Sequence, residues 1–120
     1  MSLTAMDLVA EAKQQITEID IEQTKAKMAA CLVLDVREPA EFSAGHLPGA
    51  INIPRGVVEF KITAHPDFQS KQNDDIIVYC QGGNRSALAT LNLNRIGYSK
   101  AISMLGGFAA WEASGNPIVK

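Results

Sequence analysis

One stretch of the sequence has the makings of covalent catalysis: Ile76-Ile77-Val78-Tyr79-Cys80-Gln81-Gly82-Gly83-Asn84-Arg85-Ser86. Cys80 follows four residues of β-branched and aromatic type, which read as a buried strand. Two glycines and an asparagine then read as a tight loop. Apolar residues return at helical spacing at Leu88, Leu91 and Ile96. The cysteine is therefore expected at the end of a strand, facing a loop that opens into a helix N-terminus. Unpaired backbone N–H groups and the helix dipole concentrate positive potential at such a place. Positive potential favours thiolate, the reactive form of cysteine. Gly82 and Gly83 are expected to supply the backbone conformations that turn N–H groups inward into an anion-binding nest. Arg85 adds a fixed charge with several donors. Together these residues suit a cysteine nucleophile with an anionic substrate.

The elements that must position this loop follow from patterning. Thr4 to Gln15 reads as an amphipathic helix with Leu8, Val9, Ala12 and Ile16 near one face, either packed on the domain or mediating dimerisation. Ile16 to Ile19 reads as a short strand. Asp20 with Gln23 fits a capping box for a helix running to about Ala29. Leu32-Val33-Leu34-Asp35-Val36 has the continuous apolar character of a parallel strand buried on both faces. Pro39 suits the first turn of a short helix over Ala40 to Ala44, ended by Gly45. Ala50 to Ile53 reads as a short strand between Pro48-Gly49 and Pro54. Residues 57–62 read as a helical turn and 65–67 as a loop, and Asn73-Asp74-Asp75 turns the chain into the central strand. The loop helix is expected to end at Gly97. Ala101 to Met104 reads as the last strand, and Gly106-Gly107 opens a final helix that runs through Ala113. Alternating strands and helices imply an α/β fold, a parallel sheet of about five strands covered by helices on both faces.

Composition narrows the function classes. A chain of 120 residues is one domain's worth. A net charge of −2 with no basic cluster argues against nucleic-acid binding. No apolar run approaches the roughly 18 residues of a membrane helix, and no secretory signal is visible, so the expected compartment is the cytoplasm and no membrane partner is expected. The two cysteines, Cys31 and Cys80, make neither a disulfide framework nor a zinc site. No grouping of His, Cys and carboxylates has metal-ligand spacing, so neither metal nor other cofactor is expected. Cys31, just before a strand, reads as a small buried hydrophobe. The alternative role is a resolving thiol, which nothing beside it supports.

Four segments carry a family resemblance. They are Leu34-Asp35-Val36-Arg37-Glu38-Pro39, the run from Glu41-Phe42-Ser43-Ala44-Gly45-His46-Leu47-Pro48-Gly49 to Pro54, the loop from Cys80 to Ser86, and Gly106-Gly107-Phe108-Ala109-Ala110-Trp111. In this order they resemble a single-domain rhodanese, a sulfurtransferase that carries sulfane sulfur as a cysteine persulfide. The resemblance divides the chain into an N-terminal helical extension, residues 1–15, and a rhodanese domain, residues 16–120, and implies the rhodanese-like fold. It implies that Cys80 is catalytic, attacking the outer sulfur of a donor such as thiosulfate and passing sulfur to cyanide or a thiol. The alternative within the resemblance is a persulfide carrier or regulatory sulfur-binding module loaded by a partner in a sulfur relay.

The resemblance also distributes roles. Gln81, Gly82, Gly83, Asn84, Arg85 and Ser86 form the substrate-binding loop, acting mainly through backbone N–H groups. Asp35, Arg37 and Glu38 give structural support: Asp35 orders loops, and Arg37 ties Asp35, Glu41 or the C-terminal segment. Arg85 either contacts substrate or pairs with an acid such as Glu38. His46 is similar to a structural histidine, with a general-base role as the alternative. Phe108 and Trp111 read as core anchors, and His65 as a solvent-facing loop residue. Many family members have a basic residue just after the cysteine. Gln81 stands there in this chain, which makes the rim less cationic and favours a neutral or carrier-bound donor. Cell-cycle phosphatases share the architecture but place five residues between cysteine and arginine. Here only Gln81 to Asn84 intervene, which disfavours phosphate.

Overall fold

A computed structural model describes residues 2–120; residue 1 of the expected N-terminal extension lies outside them. Five strands form one parallel sheet: β1 (Glu18–Ile19), β2 (Leu32–Asp35), β3 (Ile51–Asn52), β4 (Ile76–Tyr79) and β5 (Ala101–Met104), in the order β1-β5-β4-β2-β3. The central strand β4 pairs with β2 (Asp35 opposite Tyr79) and with β5 (Ile77 opposite Ile102). Every residue of β4 and β5 is buried, because helices cover both faces and leave no polar side to alternate with.

Among the described residues the α-helices are α1 (Ala5–Lys13), α2 (Ile21–Lys27), α3 (Pro39–Ala44), α4 (Val58–Lys61), α5 (Asn84–Arg95) and α6 (Gly107–Ala113). One face of the sheet packs Leu34, Ile76, Val78 and Cys80 against Val58 of α4 and Ala89 and Leu93 of α5. The other packs Val33, Ile77, Tyr79 and Met104 against Phe108 and Trp111 of α6. Alternate residues of β4 thus serve opposite cores, as the two-residue period of a strand requires. Among the described residues no helix is long and apolar enough to cross a membrane.

Helix α1 lies on α5, where Val9 and Ala12 bury themselves against Ala87. Its start is fixed by reciprocal bonds between Thr4 and Asp7, and α2 is capped in the same way by Asp20 and Gln23. Four expectations shift. Leu8 faces outward at 45% exposure, because Val9 and Ala12 take the contact with α5. Ile16 joins that contact instead of a strand, so β1 contains only Glu18–Ile19. Residues 55–64 form three consecutive short helical turns that bury Val58 and Ile62. Ile96, read as apolar at helical spacing with Leu88 and Leu91, is 43% exposed at the C-cap of α5.

Candidate active site

Cys80 stands one residue past β4, at the carboxyl end of the sheet where open α/β folds place their sites. Its side chain is buried. The Gly83 N–H donates to Cys80 Sγ at 3.1 Å and the Ser86 N–H at 3.3 Å, and the Ser86 hydroxyl lies 3.6 Å away. Two amide donors converging on one sulfur are what a negative charge there requires. Gly83 makes this geometry possible: at φ +104° it caps α5 in the left-handed region, where a side chain is strained. Gly82 is not left-handed, and a Cβ added to it would meet nothing within 4 Å. Only one of the two glycines therefore has the backbone role expected of both.

A second loop supports the first from below. Gly106 and Gly107 are left-handed, and a Cβ on Gly107 would fall 2.5 Å from the Cys80 carbonyl oxygen and 2.6 Å from Gln81 backbone atoms. That close approach lets Phe108 N–H donate to the Cys80 carbonyl at 2.8 Å and Ala109 N–H to that of Gln81 at 3.0 Å. Buried Ser103 of β5 lies 2.9 Å from the Ser86 hydroxyl, which in turn donates to the Gly83 carbonyl. Neither Ser103 nor the close contact at Gly107 was anticipated. The signal for Ser103 was a serine within an otherwise apolar strand.

The charged residues form two closed pairs. Arg85 makes a two-pronged bond to Glu41, at 2.9 and 3.1 Å. Its partner is Glu41 and not Glu38, because the Glu38 backbone N–H donates to Glu41 and holds that carboxylate at the start of α3, facing the arginine. The Arg85 bond, aided by the Glu38 amide, lowers the Glu41 carboxyl to about 2. Arg37 and Asp35 make a buried pair, with Arg37 Nη2 2.8 Å from the carboxylate and 2.6 Å from the Gly45 carbonyl. Of the ties foreseen for Arg37, the one to Asp35 is made. Arg37 also lies 4.4 Å over the Phe108 ring and donates to the Gln81 side-chain oxygen at 3.2 Å. Gln81 therefore acts through its side chain too, tethering the loop to this pair.

The remaining candidates stand apart from the sulfur. His46 stacks on Phe42 at 3.7 Å, with Nδ1 2.9 Å from the Phe42 carbonyl, and its backbone pairs with Val119. Trp111 is buried and donates to the Pro117 carbonyl. His65 is partly covered and accepts from the Asp67 N–H. Cys31 is half-buried rather than buried, and burial followed by the Asp75 carboxylate raises its pKa. A concavity of about 420 Å³ between α2 and α6, lined by Lys25, Met28, Ala29, Pro48, Trp111 and Pro117, includes no residue of the Cys80 loop.

Comparison with known proteins agrees with this architecture. The family model of the rhodanese-like domain matches residues 13–114, and the chain belongs to that family. It is 43% identical over 93 residues to thiosulfate sulfurtransferase 16 of Arabidopsis thaliana, covering 70% of this chain and 76% of the relative. It is 32% identical over 107 residues to a sulfurtransferase of Allochromatium vinosum, covering 87% and 95%. A Rhodopseudomonas palustris protein of unknown function, described as a possible tyrosine phosphatase, superposes with a TM-score of 0.87 at 30% identity, covering 99% of this chain and 96% of that one.

Proposed function

We propose that Cys80 carries sulfane sulfur as a persulfide, taking it from a donor such as thiosulfate and delivering it to cyanide or a thiol. The observation that carries this reading is the pair of amides, from Gly83 and Ser86, aimed at the Cys80 sulfur from a loop of four residues between cysteine and arginine. The Cys80 thiolate attacks the donor's outer sulfur, and the donor's sulfur–sulfur bond breaks with its electron pair leaving on sulfite. The persulfide anion is held by loop amides, a fixed array of donors. An acceptor nucleophile then takes the terminal sulfur and returns the thiolate. No base is needed once the nucleophile is ionised. A phosphate would need the Arg85 guanidinium, which Glu41 occupies at both ends.

The test is intact mass after incubation with thiosulfate, beside the Cys80→Ala and Cys31→Ala variants. The expected result is a gain of about 32 Da, reversed by cyanide and missing only in Cys80→Ala. An adduct formed with a protein persulfide, but with no small-molecule donor, identifies a carrier loaded by a partner. No adduct from any donor refutes the proposal.

A further inference from the structure

Three features of the loop bear on which donor it takes, given the persulfide chemistry proposed above. The first is charge. Both guanidiniums beside the loop are spoken for: Arg37 by the buried Asp35 carboxylate, and Arg85 by both oxygens of Glu41. The second is Gln81, the exposed residue next to the nucleophile, whose side-chain oxygen is turned to Arg37. The third is the character of the flanks. Met6 of α1 is 57% exposed, with its sulfur 3.6 Å from the Asn84 amide. On the other side, the Gly106 backbone approaches Gly83, where an added Cβ would stand 3.5 Å from the Gly106 nitrogen. The loop is thus bordered by the Met6 thioether, by the Gly106 backbone and by arginines whose charge is already compensated.

We infer that Glu41 is a specificity-determining residue: by clamping Arg85 it sets the site for sulfane donors that carry an organic group and at most one negative charge. A dianion such as thiosulfate brings a second charge that a free guanidinium would compensate and the paired Arg85 does not, and it meets the Met6 thioether where its oxygens seek water. An organic thiosulfonate or persulfide puts its carbon substituent against Met6 instead. Methanethiosulfonate is the matched probe, a methyl group replacing one charged oxygen of thiosulfate. With it, the Cys80 thiolate bonds to the outer sulfur, the sulfur–sulfur bond breaks, and methanesulfinate leaves with the electron pair. Cyanide then removes the sulfur as thiocyanate. Glu41 acts through Arg85 and is a positioning residue.

The experiment measures kcat/KM for both donors with cyanide as acceptor, in the wild type, Glu41→Gln and the double variant Glu41→Gln/Arg85→Gln. The wild type is expected to prefer methanethiosulfonate. Freeing Arg85 in Glu41→Gln is expected to raise the thiosulfate-to-methanethiosulfonate ratio about three- to tenfold, the effect of one unit charge acting on one more in a partly screened site. That gain should appear in KM, fade with added salt, and vanish in the double variant. A merely structural role for Glu41 would lower both donors together and leave the ratio and its salt dependence unmoved, which overturns the inference. If Glu41→Gln does not fold, the wild-type comparison decides: thiosulfate used as well as methanethiosulfonate overturns the inference. Failure of both donors to load Cys80 refutes the persulfide reading itself, a separate outcome visible by mass.

Discussion

Replacing Gly107 with alanine tests whether the second loop holds the first. The added Cβ would lie 2.5 Å from the Cys80 carbonyl oxygen and 2.6 Å from the Gln81 carbonyl. These are backbone atoms, so no side-chain rotation relieves the clash. Residue 107 also sits at φ +62°, which costs a residue with a Cβ about 1–2 kcal/mol. Separating the two segments weakens the Phe108 and Ala109 bonds to the Cys80 and Gln81 carbonyls, each contributing about 1 kcal/mol. The expected loss is about 3–4 kcal/mol, a large part of the 5–15 kcal/mol a domain has. Gly82→Ala is the control: with ordinary φ and open space around its Cβ, it should stay within about 0.5 kcal/mol of the wild type. Urea unfolding of the three proteins measures this. If Gly107→Ala matches Gly82→Ala, the loops are not mutually supporting and the close approach at residue 107 does not hold the Cys80 segment.

Two further outcomes follow from the charged pairs. Arg37→Gln leaves the buried Asp35 carboxylate without its partner and should cost about 3–5 kcal/mol in denaturant unfolding, whereas Arg85→Gln, at a half-exposed pair, should cost at most about 1 kcal/mol; equal costs would contradict the burial argument. Glu41, with its carboxyl lowered to about 2 in the fold from an ordinary 4.5, contributes stability that is present above pH 4.5 and lost as pH falls toward 2. Solvent screening keeps that contribution near 1 kcal/mol or below. In thermal scans the gap between wild type and Glu41→Gln should be constant above pH 5 and close below it; a gap unchanged down to pH 2 would show that the pair is not what lowers the carboxyl.

The sheet and the place of Cys80 could be read from the sequence because strands β2, β4 and β5 are continuous apolar runs and the glycine loop breaks β4 sharply. The caps Asp20 and Gln23 were readable for the same reason, since both partners lie within one turn. What was hidden is contact at long sequence separation. Glu41 and Arg85 lie far apart in the chain, and nothing local to either distinguishes Glu41 from Glu38 as the partner; the choice is made by α3, whose first turn fixes which carboxylate faces the loop. Gly106 and Gly107 read as helix-opening residues, whereas the reason for glycine at 107 is another segment's backbone passing within packing distance. Residues 55–64 lacked a period of useful length because each turn there is only three or four residues long.

The strand order carries a consequence for how the chain reaches this state. Edge strand β1 pairs with β5, Ile19 opposite Met104, so a segment near the beginning of the chain finds its ladder partner only after most of the sequence has been made. During synthesis β2, β3 and β4 can pair first, while residues up to β1 wait with Val9, Ala12 and Ile19 uncovered. Contacts that close such long loops come late and slow folding. The Cys80 loop likewise waits for the late part of the chain, because Ser103 beneath Ser86 and the glycines behind Cys80 arrive with β5 and the start of α6. The sulfur's two amides are thus assembled only when the domain is nearly complete, so a nascent or partly unfolded chain holds a cysteine without the array that surrounds it in the native fold.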